Sequence, residues 1–157
     1  MKKEIPWKTA LRILIIASFV IYILALFYFT IGKSAPVIIN GQRQRANLIP
    51  FHTIRNYINL VNNGQVIGVA IINLAGNLLL LLPMAVYLPY FIKALRGFWK
   101  DALAVFVIDL LIEIIEYVTA RGSFDVDDII LNMLGAIIGY GIWKLKPVQK
   151  LLTDENR

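Results

Sequence analysis

Cysteine is absent and histidine occurs once, at His52. Without cysteine there is no disulfide, no thiolate nucleophile and no cysteine-ligated zinc or iron–sulfur centre. A single histidine excludes sites built from several imidazoles; His52 is read as a loop or interface residue rather than a catalytic base. Charge is scarce as well: 17% of the 157 residues are charged, against about 25% in ordinary soluble domains. What fills the gap is apolar, at 59% of the chain, and that content excludes disorder. The length predicts one domain.

Four apolar runs organise the chain. Ile13 to Ile31 holds 19 residues without a charge, enough to cross a hydrocarbon core about 30 Å thick at ~1.5 Å per residue. Val66 to Ile92 is equally free of charge but is interrupted by Pro83 and Pro89. Ala102 to Ala120 is apolar except for Asp109, Glu113 and Glu116, and the shorter run Ile129 to Trp143 lies between Asp128 and Lys144. A soluble bundle needs polar helix faces, and the first run has none. The expected fold is therefore all-α and membrane-integral, a single membrane domain over residues 1–157. Its four transmembrane helices are predicted at about 9–31, 66–91, 101–120 and 128–144, with an extracytoplasmic loop over 32–65. The first run outlasts the roughly 7–15 apolar residues of a signal peptide, and no clear small-residue cleavage site follows, so it reads as a retained anchor.

The net charge of +6 is mainly a topology signal. With the amino terminus in the cytoplasm, eleven of the 16 basic residues fall inside and five outside: Lys33, Arg43, Arg45, Arg55 and Arg121. The positive-inside rule favours that orientation, with both termini cytoplasmic. Trp7, Trp99 and Trp143 would then all mark the inner interface as an aromatic belt. Nucleic acid is not an expected partner, because the chain has no basic, aromatic-laced soluble module.

Carboxylates at membrane depth call for an explanation, at about +2.5 to +3.5 kcal/mol for a central Asp on insertion scales. Asp109, Glu113 and Glu116 recur at i, i+4 and i+7, one narrow helix stripe that must turn inward from lipid. Asn73 and Asn77 form a matching pair on the second run, with Gly76 beside them. On the fourth, Asp128, Asn132, Gly135 and Gly139 share a face, and the two glycines make a small-xxx-small pair for close backbone approach. These faces are expected to meet in a polar cleft of a four-helix bundle, open to the extracytoplasmic side where Arg121, Asp125, Asp127 and Asp128 stand. Simpler roles exist for some of them: interhelical hydrogen bonds for Asn73 and Asn77, a helix cap for one of Asp125, Asp127 and Asp128, and a solvated loop face for Arg43, Arg45 and Arg55.

The same residues carry a family pattern. Asn47-Leu48-Ile49-Pro50-Phe51 followed by Thr53-Ile54 resembles the NLIPF segment of the VanZ-like family. Asn73 through Pro89 is similar to that family's GN…LFxPxG segment, and Ile112 through Tyr140 to its IExxQ…GRxFDxDDxxxNxxGxxxGY stretch. The three segments cover about half the chain in the family's order, and FDxDDxxxN is the most specific of them. The chain departs from the pattern at Glu116 (usually Gln), Leu81 (usually Phe), Ala85 (usually Gly) and in the order Arg121-Gly122. The resemblance implies a bacterial plasma-membrane protein associated with low-level resistance to teicoplanin, a lipoglycopeptide. It implies no particular reaction.

Three functions compete. In the first, the cleft engages membrane lipid, a lipid-linked peptidoglycan precursor or the lipoglycopeptide at the outer leaflet. Arg43, Arg45 and Arg121 would contact phosphate or carboxylate by charge-assisted hydrogen bonds, with Asn73, Asn77 and Asn132 as further binding groups. In the second, a membrane enzyme acts on a lipid-linked envelope substrate. Asp125, Asp127 and Asp128 would hold Mg²⁺, Mn²⁺ or Ca²⁺, and Glu113, Glu116 and Asp127 are its candidate catalytic groups. In the third, the in-membrane acids serve a proton-coupled lipid transporter. The first is the expected function.

Overall fold

The computed structural model describes residues 7–32, 38–39, 42–43, 46–64, 67–119 and 121–153. The fold is all-helical apart from two-residue strand pairings. Helix α1 (Trp7–Phe27) runs on into a π-helical turn at Tyr28–Gly32. The loop that follows contains the hairpin β1 (Ile38–Ile39) and β2 (Gln42–Arg43), then β3 (Ala46–Asn47). The amphipathic helix α2 (His52–Asn62) leads to α3 (Ile67–Leu80) and α4 (Met84–Phe91). A 3₁₀ turn at Lys93–Leu95 connects to α5 (Phe98–Thr119). Strand β4 (Phe124–Asp125) precedes α6 (Val126–Lys144), and α7 (Lys146–Thr153) follows it.

Among the described residues, three helical stretches are long and apolar enough to cross a membrane: Trp7–Thr30, Ile67–Phe91 and Val126–Lys144. The predicted third span, α5, is 22 residues long but carries Asp101, Asp109, Glu113 and Glu116, so composition alone does not mark it as a span. The predicted second span is two helices. Pro83 has no N–H to donate, and the chain turns at Leu81–Pro83 between α3 and α4.

Helix α6 is the hub. It packs against α3, α4 and α5, and the core gathers Leu81, Met84, Ala85, Val105, Ala136, Tyr140 and Trp143. The expected close approach occurs at Gly135 and Gly139. A Cβ at Gly135 would overlap the Leu78 carbonyl, and one at Gly139 would overlap the Leu82 carbonyl. Both contacts keep one register, so α6 runs parallel to α3–α4. Asp127 then stands about level with Ala70, one turn inside the Ile67 end of that span.

Helix α1 is peripheral, and most of its side chains are exposed. Phe19 meets the rings of Tyr87 and Phe91 at 5.0 and 4.9 Å, and the Tyr22 hydroxyl donates to the Leu80 carbonyl at 2.9 Å. The tryptophans do not act as one belt. Trp7 and Trp99 are exposed, but Trp143 is buried in the core, with Arg96 5.8 Å from its ring centre.

Candidate functional site

The fully buried positions of α5 are Asp101, Val105, Asp109 and Glu113, spaced one turn apart. The inward acidic stripe therefore exists, and it begins about two turns earlier than the apolar run indicates, at Asp101. Asp101 stands just before the apolar run, eight positions back from Asp109 and on the same face of the helix. Glu116, at the other end of the stripe, is only half-buried.

Glu113 closes the first link to α6, where its Oε2 accepts the main-chain N–H of Asp125 at 3.0 Å. Asp125 in turn caps α6, accepting the N–H of Asp127 at 2.9 Å, as the capping expectation for one of the three aspartates required. Its carboxylate also receives Asn47 Nδ2 at 3.0 Å and the Thr53 hydroxyl at 2.6 Å. The parallel pairing of β3 with β4 sets Asn47 opposite Asp125 and holds this arrangement in place.

Asp127, fully buried, reaches the loop instead. It accepts the N–H of Phe51 at 2.5 Å and that of Ile54 at 3.0 Å. Phe51 is the N-cap of α2, sits in the left-handed region at φ 64°, and has no capping side chain of its own. Asp127 supplies the missing acceptor from another helix and places a negative charge at the helix amino terminus, where the dipole favours it. Asp128 is half-buried and accepts a hydrogen bond from Asn77 Nδ2. Nearly two turns into α6, Asn132 Nδ2 donates to Asp109 Oδ1 at 2.8 Å, both residues being buried. Asp109 Oδ2, Asn132 Oδ1 and Asp101 Oδ1 have no hydrogen-bond partner among the described residues.

The three aspartates thus turn to three different sets of partners. Among the described residues no group of three or more carboxylate or imidazole side chains converges to hold a metal ion. Asn73 does not join the cluster: it is exposed and donates to the Val69 carbonyl of its own helix at 2.8 Å. Gly76 beside it is exposed too. Arg121 is exposed in the turn after α5. Arg45 and the side chain of Arg43 lie outside the described residues. His52 is exposed, 3.4 Å from Asn56 Nδ2, as a loop or interface residue would be. The Arg121-Gly122 order has a local reason, since a Cβ at residue 122 would meet the Glu116 side chain, 3.1 Å from its Cβ. Glycine there leaves room for the Glu116 side chain.

Three contributors escaped the sequence reading of the site: Asn47, Thr53 and Tyr57. Burial raises the Tyr57 phenol above its ordinary value, and the negative charges of Asp128 and Asp125 add to the shift. Asn47 and Thr53 lie inside the recognised NLIPF motif, so the motif was the available signal; Tyr57 had none.

The loop 46–54, the Asp-rich turn and their partners on α3 and α5 are the segments that carried the family pattern, and the VanZ/LLP1 family matches residues 19–147. The chain belongs to the VanZ/LLP1 family. A VanZ/LLP1 relative is Protein VanZ of Enterococcus faecium, 23% identical over 131 residues, which cover 83% of this chain and 72% of that protein. No solved structure matches. In this VanZ/LLP1 chain, the matched positions Asn47, Glu113, Asp125 and Asp127 are joined by hydrogen bonds, and Asn77 and Asp128 form a separate pair beside them.

Proposed function

We propose that this chain is a multi-pass protein of the bacterial plasma membrane that engages a lipid-linked envelope component, or a lipoglycopeptide of the teicoplanin type, at the outer leaflet and so contributes to resistance. In this reading α5 is a fourth span, both termini are cytoplasmic, and the acid and amide cluster opens outward. One observation carries the proposal. Polar side chains from four separate segments (loop 46–53, α3, α5 and the start of α6) meet at one end of the apolar helices. Buried acids facing a bundle interior are the usual mark of a working site in a membrane protein. VanZ/LLP1 membership supports the resistance phenotype, and the Enterococcus faecium relative bears the name VanZ.

Within the cluster, Asp128 and Glu116 are the half-buried acids and so the ones available to a ligand. Asp125 and Asp127 hold the backbone that presents them. Arg121, and with it Arg43 and Arg45, would meet the ligand's phosphate or carboxylate. The test is Asp128→Asn in a susceptible host carrying the gene. Resistance should fall to the vector control while membrane abundance is unchanged. Full resistance from a well-expressed variant would overturn the proposal.

A further inference from the structure

The corner between β3 and α2 exposes apolar side chains that the protein does not cover. Leu48 is 66% exposed, Ile49 65% and Phe51 57%, and Ile58 of α2 is 48% exposed on the adjoining turns. Nothing in the packing of the core explains them, since α2 has no fully buried residue. Their position is nonetheless tightly specified. Asp127 holds the N–H of Phe51 in a left-handed conformation unusual for an aromatic residue, and Asn47 Oδ1 accepts the N–H of Ile49 at 3.2 Å. A backbone held by buried polar groups to present exposed apolar side chains is built for a contact.

Depth identifies the occupant. The register of α6 on α3–α4 sets Asp127, and with it Phe51, about level with the first turn of the Ile67–Phe91 span. In that part of α3, Ile67, Val69, Ile71 and Ile72 are exposed and apolar, the surface that a spanning helix turns to lipid. Helix α2 packs on α3, so the exposed corner continues that surface. The outward polar face of α2 carries His52, Arg55, Asn56 and Asn59, with one cation and no acid, which complements phosphate headgroups. We infer that Leu48, Ile49, Phe51 and Ile58 form a lipid-docking surface that seats α2 at the headgroup–acyl boundary of the bilayer beside the carboxylate cluster. It stands on the membrane-spanning character of α3 and α6 and does not require that the cluster bind any particular ligand.

The natural lack of cysteine permits a direct test in the full-length protein in phosphatidylcholine nanodiscs. An environment-sensitive fluorophore is attached at Ile49→Cys, and separately at Asn56→Cys on the polar face. Lipid brominated high on the acyl chain should quench the label at 49 several-fold more than the label at 56, and aqueous iodide should do the reverse. Equal iodide quenching at the two sites, with no preference for brominated lipid at 49, would overturn the inference. So would quenching at 49 that depends on the number of protein copies per disc, because a second copy would then be the occupant. Either result leaves the Asp128→Asn resistance assay untouched, so the two readings fail separately.

Discussion

The carboxylate of Asp127, at the first turn of α6, accepts the backbone N–H of Phe51, 76 residues earlier in the chain. With its second oxygen on Ile54, one acid caps a helix to which it does not belong. The Asp-rich turn is therefore a scaffold first. It ties the segment 51–54 to the start of α6, and Asp128 is presented beside it.

Replacing Asp127 with Asn leaves one acceptor where there were two. One of the Phe51 and Ile54 N–H groups then loses its partner, at a cost of about 1–3 kcal/mol. The midpoint of thermal unfolding in detergent should fall, and limited proteolysis should cut earlier between residues 46 and 54. A melting curve and cleavage pattern identical to the natural protein's would refute the capping role.

The two classes of glycine in α6 should respond in opposite directions. Gly135→Ala drives a methyl group into the Leu78 carbonyl, which is backbone and has little room to retreat, so a loss of about 1–3 kcal/mol is expected. Gly141→Ala meets nothing within 4 Å and removes a flexible residue from a helix interior, a gain of about 0.5–1 kcal/mol. Unfolding midpoints of the two variants on either side of the parent would bear this out.

Asn132 and Asp109 form a buried pair, and its members should not be independent. Asn132→Leu strips Asp109 of its donor and should cost about 1–3 kcal/mol or more. The double variant Asn132→Leu with Asp109→Leu removes both polar groups and should recover part of that loss. Strictly additive effects in the double-mutant cycle would show that the pair is not coupled.

Tyr57 carries the pH prediction. Its phenol is raised above 10.0 in the folded protein, with burial as the main cause and Asp128 and Asp125 next. The unfolded chain therefore releases this proton first as pH rises. The contribution to stability is fully present below the ordinary phenol value and is lost as pH climbs through the folded one. Tyr57→Phe should flatten the alkaline limb of stability, and the difference absorbance titration between parent and variant should show a tyrosine ionising late. An ionisation at the ordinary value would contradict the burial of this side chain.

The structure vindicates the sequence reading most where local period carries the information. The apolar runs are helices, Gly135 and Gly139 let α6 approach the backbone at Leu78 and Leu82 closely, and the Asp109–Glu113 stripe faces inward. The amides show where period stops. Asn73 and Asn77 are one turn apart and read as a pair, yet only Asn77 meets Asp128, because the small angular step between them falls across the edge of the α3–α6 contact.

By itself the sequence determined that long uncharged helices must lie in lipid, that acids on one stripe must turn from it, and that a recognisable motif order places the chain in a family. Those conclusions need only chain length, hydrophobicity and the pitch of a helix. Which acid binds which loop, that Asp127 caps α2 while Asp125 caps its own helix, and that Asn73 is left outside were decided by tertiary structure. Such pairings depend on the register and rotation of helices far apart in the chain, and no local spacing encodes them.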